Sequence, residues 1–336
     1  MKSRFDPFSK EQQLRAESAL WDTRIVEETR PGDIPVIDLA SYLTGDPNAR
    51  AEVTGKVRSA CEEVGFFSIR GHGVPWDRVK QTFAQVRLFH DLPTDDKLAI
   101  RMDRPDWPHG GMGYLPLKNS KLPARSKANF NEAFLIKCDH ELGMDDNQWP
   151  DRNLLPDFRE TVESYAATMN TLAKSLLPAF ACALDMPANY FDDAFSAPMY
   201  RLRMTHYPPI GDPAGEEFGI NPHVDTTFCT ILAQDNPGLT IYSERRNAWL
   251  KVPMLKEAFV VNTGELLRQW TNDRFISVKH FANNNTGATS SYSIPFFFNA
   301  NAHHVMECVP SCFDENNPSK YPPVSYAASQ AVAQGE

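Results

Sequence analysis

The run Asn221-Pro222-His223-Val224-Asp225, answered downstream by Ser277-Val278-Lys279-His280, decides how this chain is read. His223 and Asp225 form an H-x-D pair, and His280 adds a second imidazole. Two imidazoles and one carboxylate on one face of a metal leave three coordination positions open. That is the arrangement of mononuclear Fe(II) sites that must take O2 and a co-substrate together. A structural site would close its shell with four protein ligands, thiolates commonly among them. H-x-D alone is a common pair and also describes two polar residues flanking a loop. The surrounding sequence gives it specificity.

Around it stand, in order, Tyr207-Pro208-Pro209, Leu232-Ala233-Gln234-Asp235-Asn236-Pro237-Gly238-Leu239 and Val260-Val261-Asn262-Thr263-Gly264-Glu265. Trp270-Thr271-Asn272-Asp273 and Tyr292-Ser293-Ile294-Pro295-Phe296-Phe297 follow. Ile34-Pro35-Val36-Ile37-Asp38-Leu39, Gly65-Phe66-Phe67 and His72-Gly73-Val74 open the chain in the same style. Over roughly residues 34–312 the sequence resembles the isopenicillin N synthase-like branch of the non-haem Fe(II)/2-oxoglutarate-dependent dioxygenases. The resemblance implies His223, Asp225 and His280 as ligands of Fe(II), with O2 as co-substrate. It also implies 2-oxoglutarate, bound through its keto oxygen and C1 carboxylate and converted to succinate as a substrate hydrogen is taken. The remaining histidines (His72, His90, His109, His140, His206, His303 and His304) read as ordinary polar residues, with a structural role for His72 in the H-G-V motif.

At the co-substrate site the chain departs from that pattern. The family has an arginine two residues before a serine on its last strand; the serine is kept as Ser293, but the arginine position is Ser291. The family's asparagine two residues before the tyrosine of Tyr-Pro-Pro is here Thr205, while Tyr207 is retained. Exchanging a planar bidentate donor for a short hydroxyl is a large chemical change. Three explanations stand. A nearby cation such as Arg201, Arg203, Arg268 or Lys279 supplies the charge, or a different oxo acid is used. Alternatively the enzyme takes all four electrons from its substrate, as isopenicillin N synthase does.

At 336 residues the chain can bury a sizeable core, and 42% hydrophobic with 23% charged content is that of an ordinary globular protein. A formal charge of −9 argues against a general nucleic-acid or membrane partner. No apolar run approaches the roughly eighteen residues of a membrane span. The N-terminus lacks the apolar core of a signal peptide. The six cysteines form no C-x-x-C pair, so neither a disulfide framework nor a zinc site is expected, and a cytoplasmic location fits. Oligomeric state is not legible.

Residues 1–33 read as a polar lead-in, 34–320 as one domain with its core at about 198–300, and 321–336 as a tail. Ile34–Leu39 reads as a strand, Ala51 to Val64 as a helix, and Val79, Phe83, Val86 and Phe89 as another, with Pro75 in its first turn. A long loop is expected from about Pro105 to Asn131. Phe158, Val162, Tyr165, Met169, Leu172, Leu176 and Phe180 recur at helical steps and predict a long packed helix. After Pro198 short β-rich runs take over: Leu202–Tyr207, Thr230–Ala233, Leu239–Tyr242, Phe259–Asn262 and Tyr292–Phe298. The pattern is a mixed α/β (α+β) sandwich with supporting helices, mainly from the N-terminal half. The resemblance sharpens it to a double-stranded β-helix, or jelly roll.

For a small organic substrate the candidate contacts are Tyr114, Phe130, Phe134, Phe228 and Phe297, with Lys118, Asn131 and Glu132 as candidate polar selectors. The expected reaction is hydroxylation, desaturation or ring closure. A catalytically inactive ligand-binding member of the fold is opposed by the intact triad. A metallohydrolase is opposed by the absence of a second carboxylate cluster.

Overall fold

Period-two alternation governs the second half of the chain and sorts its side chains between a helix-covered wall and an open cavity. The computed structural model describes residues 26–102, 112–117, 129–138, 147–210 and 218–328. Its strands are β1 (Val26–Glu27), β2 (Val36–Asp38), β3 (Phe66–Arg70), β4 (Tyr114–Leu115), β5 (Glu132–Cys138), β6 (Met199–Tyr207), β7 (Ile220–His223) and β8 (Cys229–Gln234). They continue with β9 (Leu239–Ser243), β10 (Ala248–Lys251), β11 (Phe259–Thr263), β12 (His280–Ala282), β13 (Ser291–Asn299), β14 (Val305–Met306) and β15 (Val324–Ser325). Eight strands form one sheet in the order β2-β3-β11-β8-β13-β6-β5-β4, and five form a second in the order β1-β10-β9-β12-β7. Together they make the jelly-roll core.

The outer face of the larger sheet is covered by helices. The longest, Phe158–Ala183, presents Phe158, Val162, Tyr165, Met169, Leu172, Leu176 and Phe180 on one buried stripe. In the same core lie Leu202 and Met204 of β6, Ile231 and Ala233 of β8, and Ile294, Phe296 and Phe298 of β13. The intervening residues Arg203 and Tyr207, Thr230, Leu232 and Gln234, and Ser291, Ser293, Pro295 and Phe297 turn the other way and line a cavity. Pro295 lacks an N–H for the ladder, yet β13 stays paired with both neighbours around it.

Several boundaries differ from the sequence reading. The first long helix starts at Pro47, capped by the Asp46 carboxylate on the Asn48 amide at 2.8 Å, so its N-terminal turn precedes the apolar pattern. Pro75 caps the Trp76–His90 helix from outside. Within residues 1–33, Val26–Glu27 is strand, paired parallel to β10. The expected long loop contains β4, which pairs with β5; residues 103–111 and 118–128 lie outside the described residues. In the expected tail, β15 pairs with β14 and Tyr326 is buried. Gly65 (φ 70°) turns the chain into β3, and a side chain there would collide with Val278 and Ile276. All six cysteines are free. Among the described residues no helix is long and apolar enough to cross a membrane.

Candidate metal centre and its cavity

His223 ends β7 and His280 begins β12, and antiparallel register sets them directly opposite one another with ring centroids 4.3 Å apart. Asp225 follows in the segment leading to β8. One of its oxygens, Oδ1, lies 3.6 Å from His223 Nε2 and 3.6 Å from His280 Nε2. The three donor atoms lie within 4.8 Å of one another.

The surroundings fix how each group is presented. His223 Nδ1 donates to the Asn221 carbonyl at 2.8 Å, and His280 Nδ1 to the Val278 carbonyl at 3.1 Å. A carbonyl can only accept, so each Nδ1 carries the proton and each Nε2 lone pair faces the centre. Asp225 Oδ2 accepts from the Thr230 hydroxyl at 2.6 Å and the Asn262 amide at 2.8 Å, leaving Oδ1 to the centre. Burial works to raise the Asp225 carboxyl, but the His280 and His223 imidazoles and the Thr230 hydroxyl outweigh it and hold it well below the usual carboxylate range. Burial, and then the His223 ring, pull the His280 imidazole down to about 4, so it is uncharged at neutral pH. A carboxylate oxygen and two imidazole Nε2 atoms facing one point are the donor set of an open ferrous site, and the residues fit the ion.

The centre opens into a cavity of about 510 Å³. Tyr207, Ser291 and Ser293 line it, and the Tyr207 hydroxyl meets Ser293 Oγ at 3.2 Å. Thr205 is fully buried beside them, opposite Ser293 in register. Phe297 is on the wall as expected.

The other aromatic candidates are elsewhere, for reasons of strand parity. Phe134 pairs with Met204 and Tyr114 with Phe134, so both face the helices; Phe134 packs on Phe89 and Phe158. Phe228 is fully buried among Phe180, Phe191 and Phe195. Phe130 is not on the cavity wall; its amide donates to the Phe218 carbonyl at 2.8 Å. Lys118 lies outside the described residues.

Glu132 also faces the helices, where it forms a second cluster. Its carboxylate meets Lys97 Nζ at 3.1 Å, His206 Nδ1 at 2.7 Å and the Tyr114 hydroxyl, with His90 Nδ1 at 3.4 Å. His90, Glu132 and His206 also fall within metal-binding distance of one another, but Lys97 already supplies the positive charge there.

Sequence reasoning did not single out Thr230, Asn262 or Gln234 for a role at the site. Asn262 and Gln234 sit inside quoted motifs, but only register shows what they touch.

Residues 34–152 match the family described as non-haem dioxygenase in morphine synthesis N-terminal, and residues 198–300 match the 2OG-Fe(II) oxygenase superfamily. The chain is 33% identical over 307 residues to the 2-oxoglutarate-Fe(II) type oxidoreductase hxnY of Emericella nidulans, covering 87% of this chain and 86% of that protein. It is 30% identical over 285 residues to the 2-oxoglutarate-dependent dioxygenase tropC of Talaromyces stipitatus, covering 80% and 86%. In fold it is similar to a full-length Neurospora crassa protein solved in complex with alpha-KG and thymine, with a TM-score of 0.81 at 23% identity over 90% of this chain and 96% of that one. With both parts of the fold matched and relatives of this identity aligned over most of their length, the chain belongs to the non-haem Fe(II)/2-oxoglutarate oxygenase superfamily and is an Fe(II)-dependent oxidoreductase.

Proposed function

We propose that His223, Asp225 and His280 hold one Fe(II), and that the adjoining cavity takes 2-oxoglutarate and a small organic substrate to be hydroxylated, desaturated or ring-closed. The observation that carries this reading is Asp225 Oδ1, equidistant from two imidazole nitrogens at the cavity floor. Bound there, Fe(II) with 2-oxoglutarate supplies the O2-dependent oxidation of a substrate, with CO2 and succinate as the other products.

The protein's own part is positional. Thr230 and Asn262 keep Asp225 from turning its second oxygen to the centre. Leu232, Leu239, Phe281 and Phe297 provide an apolar wall that limits water near the reacting carbon. Asn283 and Asn285 stand on the same cavity's wall, where their amide groups brace the rim: Asn283 Nδ2 donates to the Gly238 carbonyl and the Thr240 hydroxyl, and Asn285 Nδ2 to the Tyr207 and Thr289 carbonyls. The Neurospora crassa protein was solved with thymine and with 5-formyluracil, which supports a substrate of small-molecule size. The ordered motifs support assignment to the isopenicillin N synthase-like branch, and the six free cysteines fit a reducing, cytoplasmic setting.

Anaerobic titration tests the reading. Fe(II) followed by 2-oxoglutarate should develop a visible charge-transfer band, which His280→Ala should abolish. A full band in His280→Ala would rule out this metal assignment. Substrate oxidation at full rate without any oxo acid would favour the four-electron alternative.

A further inference from the structure

Of the four cations considered as substitutes for the missing arginine, one reaches the cavity. Arg268 is tied to Glu265, Asp273 and Tyr321. Arg201 and Lys279 are off the cavity wall, and Lys279 lies in the field of Glu244. Arg203 is on the wall, and it is the one Lys or Arg among the described residues that is.

Its setting is unusual for a guanidinium. Nε donates to Thr205 Oγ1 at 3.2 Å and Nη2 to Asn131 Oδ1 at 2.7 Å, both neutral acceptors. Asn131 in turn donates to the Gly219 carbonyl at 2.5 Å, so the guanidinium is fixed. No carboxylate among the described residues pairs with it. Burial lowers its pKa, the mark of a charge without its counter-charge. Holding a part-buried cation with neutral partners alone carries a desolvation cost, and a carboxylate arriving through the cavity would offset that.

The neighbouring groups converge on the same point. Thr205, which receives Nε, pairs with Ser293 across β6 and β13, and Ser293 pairs with Gln234 across β13 and β8. Gln234 Nε2 is buried without a hydrogen-bond partner. Tyr207, directly opposite Ser291 in register, meets the Ser293 hydroxyl at 3.2 Å. A cation, an orphaned amide donor and two hydroxyls therefore surround the end of the cavity where the family arginine would project.

We propose that Arg203, assisted by Gln234, receives the distal carboxylate of 2-oxoglutarate in place of the arginine absent at Ser291. This rests on the Fe(II)/2-oxoglutarate reading above. A carboxylate borne by the substrate would satisfy the same guanidinium, and the test separates the two sources.

The measurement is calorimetric affinity of the Mn(II)-loaded full-length protein, without substrate, for 2-oxoglutarate and for 2-oxopentanoate, which lacks the distal carboxylate. The native protein should prefer 2-oxoglutarate by about 30-fold or more, the lower end expected for a desolvated charge pair. Arg203→Met should lose that preference while binding 2-oxopentanoate as before, which also shows that the variant is folded. Adding Ser291→Arg to Arg203→Met should restore it. An Arg203→Met protein that keeps native affinity for 2-oxoglutarate overturns the proposal and leaves Arg203 to a substrate carboxylate. A native protein that binds neither oxo acid overturns the 2-oxoglutarate reading itself, and this proposal with it.

Discussion

At the scale of single residues, the proposed centre depends on groups outside the triad. Asp225 has two oxygens, and an unrestrained carboxylate could present either or both. Thr230 and Asn262 occupy Oδ2 and so select Oδ1. Partners of this kind typically govern metal affinity by 10–100-fold. Asn262→Ala should therefore weaken Co(II) or Fe(II) binding by roughly that factor, with native secondary structure retained. Titration of the metal-dependent absorbance reads it directly. Unchanged affinity would mean that Thr230 alone holds the carboxylate.

At the scale of elements, one strand can carry two unrelated jobs on its two faces. On β6 and at the entry to β5, Asn131, Arg203, Thr205 and Tyr207 serve the cavity side, while Glu132, Phe134, Met204 and His206 serve the helices. The helix-side charges tie β5 and β6 to Lys97, whose helix follows that of His90. Burial tends to raise the Glu132 carboxyl, but the His206 and His90 imidazoles and the Tyr114 hydroxyl outweigh it and keep it ionised far below its usual range. A carboxylate held low in the folded state stabilises the fold above its unfolded pKa of about 4.3, and that stability is lost as pH falls below it. Glu132→Gln should cost about 3 kcal/mol at pH 7, because Lys97 loses its buried partner. The gap from the native protein should narrow as pH is lowered from about 5 toward 3 in urea unfolding. A gap that stays constant with pH would show that the carboxylate's charge is not what matters.

The same two-faced strands explain what was legible in the sequence. His223, Asp225 and His280 could be picked out together because the motifs around them are ordered, and the fold brings their donor atoms within 4.8 Å of one another. The Phe158–Ala183 helix and β6, β8, β9, β11 and β13 were readable because their apolar periods are strong. Tyr114, Phe134 and Phe228 were misassigned to substrate because an aromatic gives no sign of which face it occupies. Parity comes from register, and the register of β5 against β6 is set by long-range pairing. Short strands such as β7 and β12, of four and three residues, carry too little pattern to be seen alone.

At the scale of the whole molecule, the proposed metal centre would also be a fastening. Both imidazoles come from the five-stranded sheet. The aspartate is pinned by Thr230 of β8 and Asn262 of β11, which belong to the eight-stranded sheet. An ion at this point therefore joins the two sheets across the cavity floor. Its binding energy then counts toward folding, because the unfolded chain holds no such site. At 100 times its dissociation constant a ligand adds about 2.7 kcal/mol, which for a chain of this size is a rise of roughly 5 °C in Tm. Mn(II) should give such a rise under anaerobic conditions, and Asp225→Asn should remove it. Adding 2-oxoglutarate should raise Tm further only when the metal is present, since chelation needs the ion as its first contact. An equal rise from 2-oxoglutarate in the metal-free protein would show that the oxo acid is held by the cavity wall alone. The ion would then be a fastening for the sheets without being the seat of the co-substrate.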